Sequence, residues 1–482
     1  MKMNKKKRIF KISQSSYEGD IILPSSKSLA ARYLFCSIFS QQVCSIKGSG
    51  YSSDIQSCFN ALKVFRPESE IKALNNHFFE IAVKGKSLFD NTYQMAIHEP
   101  IKIDCKESAF CIRAISPICS LSDKSFLLTG ADSLLSRPMD MIEQALVQLG
   151  ASIRFIKKSR SNCYDIFIKG PIKKQKVTID CSKTSQLVSG AMIALASLKE
   201  DSYIICENLT SFPYIKLTKK VLEDFGIFCE FCAIKDNLNI KKRGKIVEIK
   251  GSQVFKPVDE FIEGDWSAAS FFLLAGAIRG NLNFKNLSYP SSQPDSIFLE
   301  ILKQAGATVS IQNIADGINI EGYKTFQNIS IKNNQLKSFD FDFNDYPDIF
   351  IPSIILASFC EGTSKFYGTG RLVYKESDRL NNMIYILNEL FKNITVQNGI
   401  VYIKGTKNNL NKLSSNFLET GDKFNFYFDP ANDHRIFMAL FILAGLSKTP
   451  FFILDDGSYK KSNPQFLENF TSAGGKYEEI YE

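Results

Sequence analysis

One pattern recurs six times along the 482 residues: a leucine-centred helix, often ending at glycine, followed by a β-branched strand. The leucines that align are Leu62, Leu146, Leu222, Leu302, Leu387 and Leu467, spaced 84, 76, 80, 85 and 80 residues apart. A second series interleaves with the first. Polar clusters near Lys27, Glu107, Thr184, Asp265, Asp348 and Asp433 each open an apolar, small-residue run, at spacings of 80, 77, 81, 83 and 85. Two series sharing one period bind the chain to six related units rather than a few unrelated domains. The period exceeds the roughly 20–50 residues of solenoid repeats. Each unit is therefore expected to be a small α/β module with two helices and several strands.

Cap chemistry supports the helix starts. Ser25-Ser26, Ser182, Asp265 and Asp433 are N-cap types, and Pro347 stands at one helix entry. The runs behind them, such as Ser270–Ile278 and Ile436–Leu446, are apolar nearly all round, which predicts helices buried on every side. Each unit then has one buried helix and one amphipathic outer helix. A helix N-terminus offers free N–H donors and partial positive charge. Six such ends carrying Lys, Arg, Ser, Gln and His suit phosphate and carboxylate groups.

Composition narrows the class of partner. The net charge of +9, from 59 Lys+Arg against 50 Asp+Glu, is mild, and lysine is spread along the chain rather than gathered into a basic-aromatic stripe. Small anionic substrates, or no particular partner, fit this better than nucleic acid. The apolar stretches Ile349–Cys360 and Ile436–Leu446 are shorter than the ~18 residues a membrane span needs. The run Lys5–Arg8 reads as a solvated tail before a first strand at Ile9–Ile12. Of twelve cysteines only Cys229 and Cys232 have C-x-x-C spacing, and no second pair or nearby histidine completes a zinc site. Free thiols in a cytoplasmic protein are expected.

The polar clusters read in order Pro24-Ser25-Ser26-Lys27-Ser28-x-x-x-Arg32, Ser136-Arg137-Pro138, Thr184-Ser185-Gln186, Ser211-Phe212-Pro213-Tyr214, Glu263-Gly264-Asp265, Pro347-Asp348, Lys375-Glu376-Ser377-Asp378-Arg379, Asn432-Asp433-His434-Arg435 and Lys461-Ser462-x-Pro464. From about residue 21 to 470 the ordered set resembles the 5-enolpyruvylshikimate-3-phosphate synthases of the enolpyruvyl transferase family. The resemblance implies an α/β (α+β) fold of two globular halves. Each half has three α/β units about a pseudo-threefold axis, with a substrate cleft between the halves. It implies one half from residues 1–24 and 262–482 and the other from 25–261. It also implies transfer of the enolpyruvyl group of phosphoenolpyruvate to the 5-hydroxyl of shikimate 3-phosphate, without metal or organic cofactor, by a monomer.

By the same resemblance, Ser28, Arg32, Thr184, Ser185, Gln186, Ser211, Tyr214, Asp348 and Lys375 match positions that hold shikimate 3-phosphate. Lys27, Ala109, Arg137, Arg379, Arg435 and Lys461 match those that hold phosphoenolpyruvate. Lys27, Asp348, Glu376 and His434 are the implied catalytic set, with Glu376 shuttling protons with Lys27; the other histidines are His77 and His98.

The chain departs from the pattern in Asp104–Arg113, where Ala109 and Phe110 replace a glycine and a small hydroxyl residue. A methyl at Ala109 would project toward phosphoenolpyruvate, and reduced sensitivity to its bulkier competitor glyphosate is expected. Trp266 replaces a small residue, Val373 an arginine and Asn463 an aromatic. Two alternatives stay open: a catalytically impaired anion-binding homologue of the same fold, and the sister transferase acting on UDP-N-acetylglucosamine.

Overall fold

The computed structural model describes residues 7–75, 77–90, 100–159, 161–234, 244–320, 323–332, 334–415 and 426–481, without the side chains of 314–327, 414 and 415. Lys5, Lys6 and His98 lie outside the described residues. The chain forms two compact units: Met1–Ser25 with Glu263–Glu482, and Ser26–Ile262. The chain passes from one to the other between Ser25 and Ser26 and returns between Ile262 and Glu263.

Among the described residues each unit holds three four-stranded sheets, all with one strand pattern. The plainest begins with strand Lys176–Asp180, helix Gln186–Leu195 and strand Ser202–Glu207, parallel to the first. Helix Phe212–Asp224 follows, then strands Cys229–Ala233 and Lys245–Ile249, the second of which pairs antiparallel with both Cys229–Ala233 and Ser202–Glu207. A parallel pair needs a long crossover, and the buried helix supplies it. The stretches from Ile101 to Lys169 and from Phe341 to Gly405 repeat this arrangement.

The other three sheets borrow a strand from far along the chain. Asp259–Phe261 lies parallel to Cys44–Ser49, and Glu18–Ile21 lies parallel to Asn281–Phe284. Strand Arg8–Ser13 sits antiparallel between Phe451–Leu454 and Lys476–Tyr481. Arg8 is therefore not part of a solvated tail. Its guanidinium bonds Asp455 at 2.6 Å and Glu479 at 3.4 Å.

The inner helices are Lys27–Ser37, Ala109–Cys119, Gln186–Leu195, Trp266–Arg279, Phe350–Phe359 and His434–Leu446. Every residue of the last two is buried, as the unbroken apolar runs require. Close packing shows at Gly190: a Cβ there would lie 2.5 Å from both Cα and carbonyl oxygen of Ala114 on the neighbouring inner helix. Ser26, Ser108, Asp265 and Asp433 each cap an inner helix by accepting a backbone N–H. Ser182 does not cap. Its hydroxyl turns to Asp180 at 2.8 Å, and Ser185 takes the cap position.

The outer helices are Ser53–Phe65, Asp140–Gln148, Phe212–Asp224, Phe298–Gln304, Arg379–Phe391 and Phe466–Ser472. Leu62, Leu146, Leu222, Leu302 and Leu387 are fully buried on them, but Leu467 is not. In the sixth repeat Phe466 and Phe470 fill the core instead, a slip of one residue. Each unit has its own apolar core. All twelve cysteines are free thiols. Among the described residues no helix is long and apolar enough to cross a membrane.

Candidate active site

In the unit Ser26–Ile262 the sequence clusters lie at the starts of inner and outer helices and in the turns before them. Lys27 opens the first, and its Nζ lies 3.1 Å from Oδ2 of Asp54, in the first turn of an outer helix. Arg32, one turn further in, is 2% exposed. Its Nε donates to Thr218 Oγ1 at 2.9 Å, and its terminal nitrogens donate to Ser28 O at 2.7 Å, Ser189 Oγ at 3.2 Å and Tyr214 O at 3.2 Å. These partners are all neutral. Burial pulls the Arg32 pKa down to about 10, so the group is still a cation at neutral pH.

The neighbouring starts carry the other predicted groups. Ala109 is the first residue of its helix, behind the Ser108 cap, and is half-buried. Arg137 is half-buried in the turn before Pro138, with its Nε 3.3 Å from Ser133 O. Thr184 Oγ1 accepts the Gln186 N–H at 3.3 Å, and Ser185 Oγ donates to Ser211 O at 3.5 Å. Ser211 holds a left-handed φ of 54°, which turns the chain into the helix that carries Tyr214. Arg113, which the sequence reading did not assign, joins these pieces. It donates to Gln186 Oε1 and to Pro138 O, both at 2.9 Å.

In the other unit the predicted charges form one connected cluster. Asp348 lies in a 3-10 turn, Pro347–Ile349, at the entry to an inner helix. Its carboxylate meets Arg379 at 3.0 Å, Arg435 at 3.3 Å and Lys375 at 3.4 Å. Arg379, 1% exposed, also bonds Glu376 Oε2 at 2.6 Å and Asp433 Oδ2 at 2.8 Å. Lys461 Nζ stands 3.6 Å from Glu376 Oε1. His434 is buried directly after Asp433, its Nδ1 3.9 Å from that carboxylate. Four cations thus surround three carboxylates, leaving one positive charge in excess among these seven groups.

This crowding sets the protonation states. Burial alone would raise the Asp348 pKa, but Arg435, Lys375 and Arg379 outweigh it and hold the carboxyl well below its usual range. Burial lowers Lys375 to about 8, against the pull of Asp348, with Arg371 and Arg379 adding to the fall. Burial also disfavours the Arg379 charge, yet Asp433, Glu376 and Asp348 more than restore it. Asp433 and Asp54 stand among the candidate-site residues, although sequence reasoning did not assign them. The signal for Asp433 was its place inside the Asn432–Arg435 cluster; Asp54 gave none beyond an ordinary first-turn carboxylate. Among the described residues no group of three or more His, Cys, Asp and Glu side chains could hold a metal ion.

The repeated sheets around buried helices are a fold shared with solved enolpyruvyl transferase structures. An EPSP synthase structure from Acinetobacter baumannii superposes with a TM-score of 0.73 at 21% identity, covering 98% of this chain and all of that one. The enolpyruvyl transferase NikO from Streptomyces tendae superposes with a TM-score of 0.67 at 12% identity, over 99% of this chain and all of that one.

The sequence profile of EPSP synthase (3-phosphoshikimate 1-carboxyvinyltransferase) matches residues 12–470. A protein of that name from Clostridium botulinum is 30% identical over 472 residues, 98% of each chain. One from Brachyspira hyodysenteriae is 31% identical over 469 residues, 96% of this chain and 98% of that one. The chain belongs to the EPSP synthase family, and is a transferase.

Proposed function

We propose that this chain transfers the enolpyruvyl group of phosphoenolpyruvate to the 5-hydroxyl of shikimate 3-phosphate and releases phosphate, a step in making chorismate and the aromatic amino acids. The observation that supports it most is the cluster of Asp348, Lys375, Glu376, Arg379, Asp433, Arg435 and Lys461 in a chain of this family.

The chemistry asks for three things. A proton must reach the methylene carbon of phosphoenolpyruvate, making its neighbour electrophilic. The 5-hydroxyl must lose a proton as its oxygen adds there. The tetrahedral adduct must then lose a proton from the new methyl group as the carbon–phosphate oxygen bond breaks. Glu376 and Lys27 are the proposed proton carriers, with Asp348 on the hydroxyl and His434 contacting the intermediate. Each carrier is already tied to a partner of opposite charge, Lys27 to Asp54 and Glu376 to Arg379. Substrate anions competing for Arg379 would free Glu376, and anions competing with Asp54 for Lys27 would draw that ammonium to the substrate when the site fills.

Charge neutralisation falls to the remaining groups. Arg137, Arg379, Arg435 and Lys461, with Ala109, hold phosphoenolpyruvate in this reading. Ser28, Arg32, Thr184, Ser185, Gln186, Ser211, Tyr214 and Lys375 hold shikimate 3-phosphate. Planar guanidinium forks suit both carboxylate and phosphate. The enzyme is proposed to be monomeric and cytoplasmic, which light scattering and cell fractionation test.

The deciding experiment is a phosphate-release assay with both substrates. Release only when both are present supports the reading. No release, with both substrates still bound, would replace it with an impaired anion-binding homologue. Release with UDP-N-acetylglucosamine in place of shikimate 3-phosphate would make it the sister transferase.

A further inference from the structure

Phe110, where the family resemblance expects a small hydroxyl residue, reaches the neighbouring inner helix. The Phe110 ring is partly buried against the core, and the Arg32 guanidinium carbon sits 4.6 Å from its centroid. The same ring stacks on Phe35, centroids 6.2 Å apart and planes within 10°. Phe35 lies three residues after Arg32 on the inner helix Lys27–Ser37, so both side chains project from one helix face. Phe110 therefore fills the angle between them.

Arg32 is a buried cation held by two hydroxyls and two backbone carbonyls. Neutral acceptors stabilise a buried guanidinium less than a carboxylate does. An aromatic face supplies the missing electrostatic stabilisation without neutralising the charge. The cation is thus kept in place yet left with its full attraction for an incoming anion. A carboxylate in the same position would have consumed that attraction.

We propose that Phe110 is a positioning residue for shikimate 3-phosphate: its ring fixes the Arg32 guanidinium by a cation–π contact, backed by Phe35. This rests on the reading that Arg32 binds shikimate 3-phosphate. It assigns the departure at position 110 to the acceptor substrate, although its neighbour Ala109 belongs to the phosphoenolpyruvate side.

The test is calorimetric binding of shikimate 3-phosphate to the full chain and its Phe110→Ser, Phe110→Leu and Phe110→Tyr variants. The KM for each substrate and the thermal midpoint are measured alongside. Loss of the ring should weaken shikimate 3-phosphate binding about five- to thirtyfold in F110S and F110L. F110Y should bind within about twofold of the parent, and the phosphoenolpyruvate KM should move less than the other. Leucine keeps the apolar bulk, so parental binding by F110L would overturn the proposal. A change confined to phosphoenolpyruvate would also overturn it, as would equal losses in F110Y and F110S. If the parent chain itself fails to bind shikimate 3-phosphate, the functional reading falls; if it binds and the variants match it, only the role of Phe110 falls.

Discussion

Lys375 shows how a single side chain can be tuned by what surrounds it. Its pKa of about 8, against an ordinary 10.5, means that the unliganded protein begins to lose this charge just above neutral pH. The unfolded chain holds more protons between these two values, so this group's contribution to stability rises with pH across that window. Anion affinity moves the opposite way. Shikimate 3-phosphate should bind more weakly as pH rises above about 8, because binding must first reprotonate Lys375. Calorimetry across pH 7–10 should show that slope, and Lys375→Gln should flatten it. Glu376→Gln should cost about 10²–10⁴ in turnover while shikimate 3-phosphate binding stays within about threefold, measured by phosphate release and calorimetry. The charged residues at helix starts were legible in the sequence because polar clusters there interrupt apolar runs. Asp54 and Arg113 were not, because each reads as an ordinary helix residue until folding brings it to Lys27 or to Gln186 and Pro138.

At the level of elements, the sequence was clearest where a helix is buried all round and vaguest where a strand is short. The six inner helices follow from long apolar runs behind capping residues. The outer helix of the sixth repeat slipped by one residue, since two phenylalanines do the packing that one leucine does elsewhere. The strand Asp259–Phe261 has three residues, too few for a periodic signal, and its partner lies more than 200 residues away. One close helix–helix contact gives a sharp test. Gly190→Ala would push a methyl into the backbone of the neighbouring helix at Ala114. The unfolding free energy should fall by about 1–3 kcal/mol or more, read from urea melts of parent and variant.

For the whole molecule, the charge of +9 matters less than where seven cations lie. Lys27, Arg32 and Arg137 stand at helix starts or turns in one unit, and Lys375, Arg379, Arg435 and Lys461 in the other. Their summed field should speed capture of anionic substrates, so kcat/KM should fall steadily as salt rises from 20 to 300 mM, with kcat less affected. The two cores make a second prediction. Residues 26–262 are continuous in sequence and contain all strands of their three sheets, so that fragment should fold alone with one cooperative urea transition. A featureless melt would show that the unit needs its partner. The other unit has no such independence, because strand Arg8–Ser13 lies between two strands from the last thirty or so residues. During synthesis at roughly 5–20 residues per second, that strand is made long before its partners and waits about 20–90 s for both neighbours. Over that interval the unit 26–262 can fold on the ribosome, while a strand whose Ile9, Phe10 and Ile12 are destined for the core stays unpaired and is a segment that a chaperone would shield.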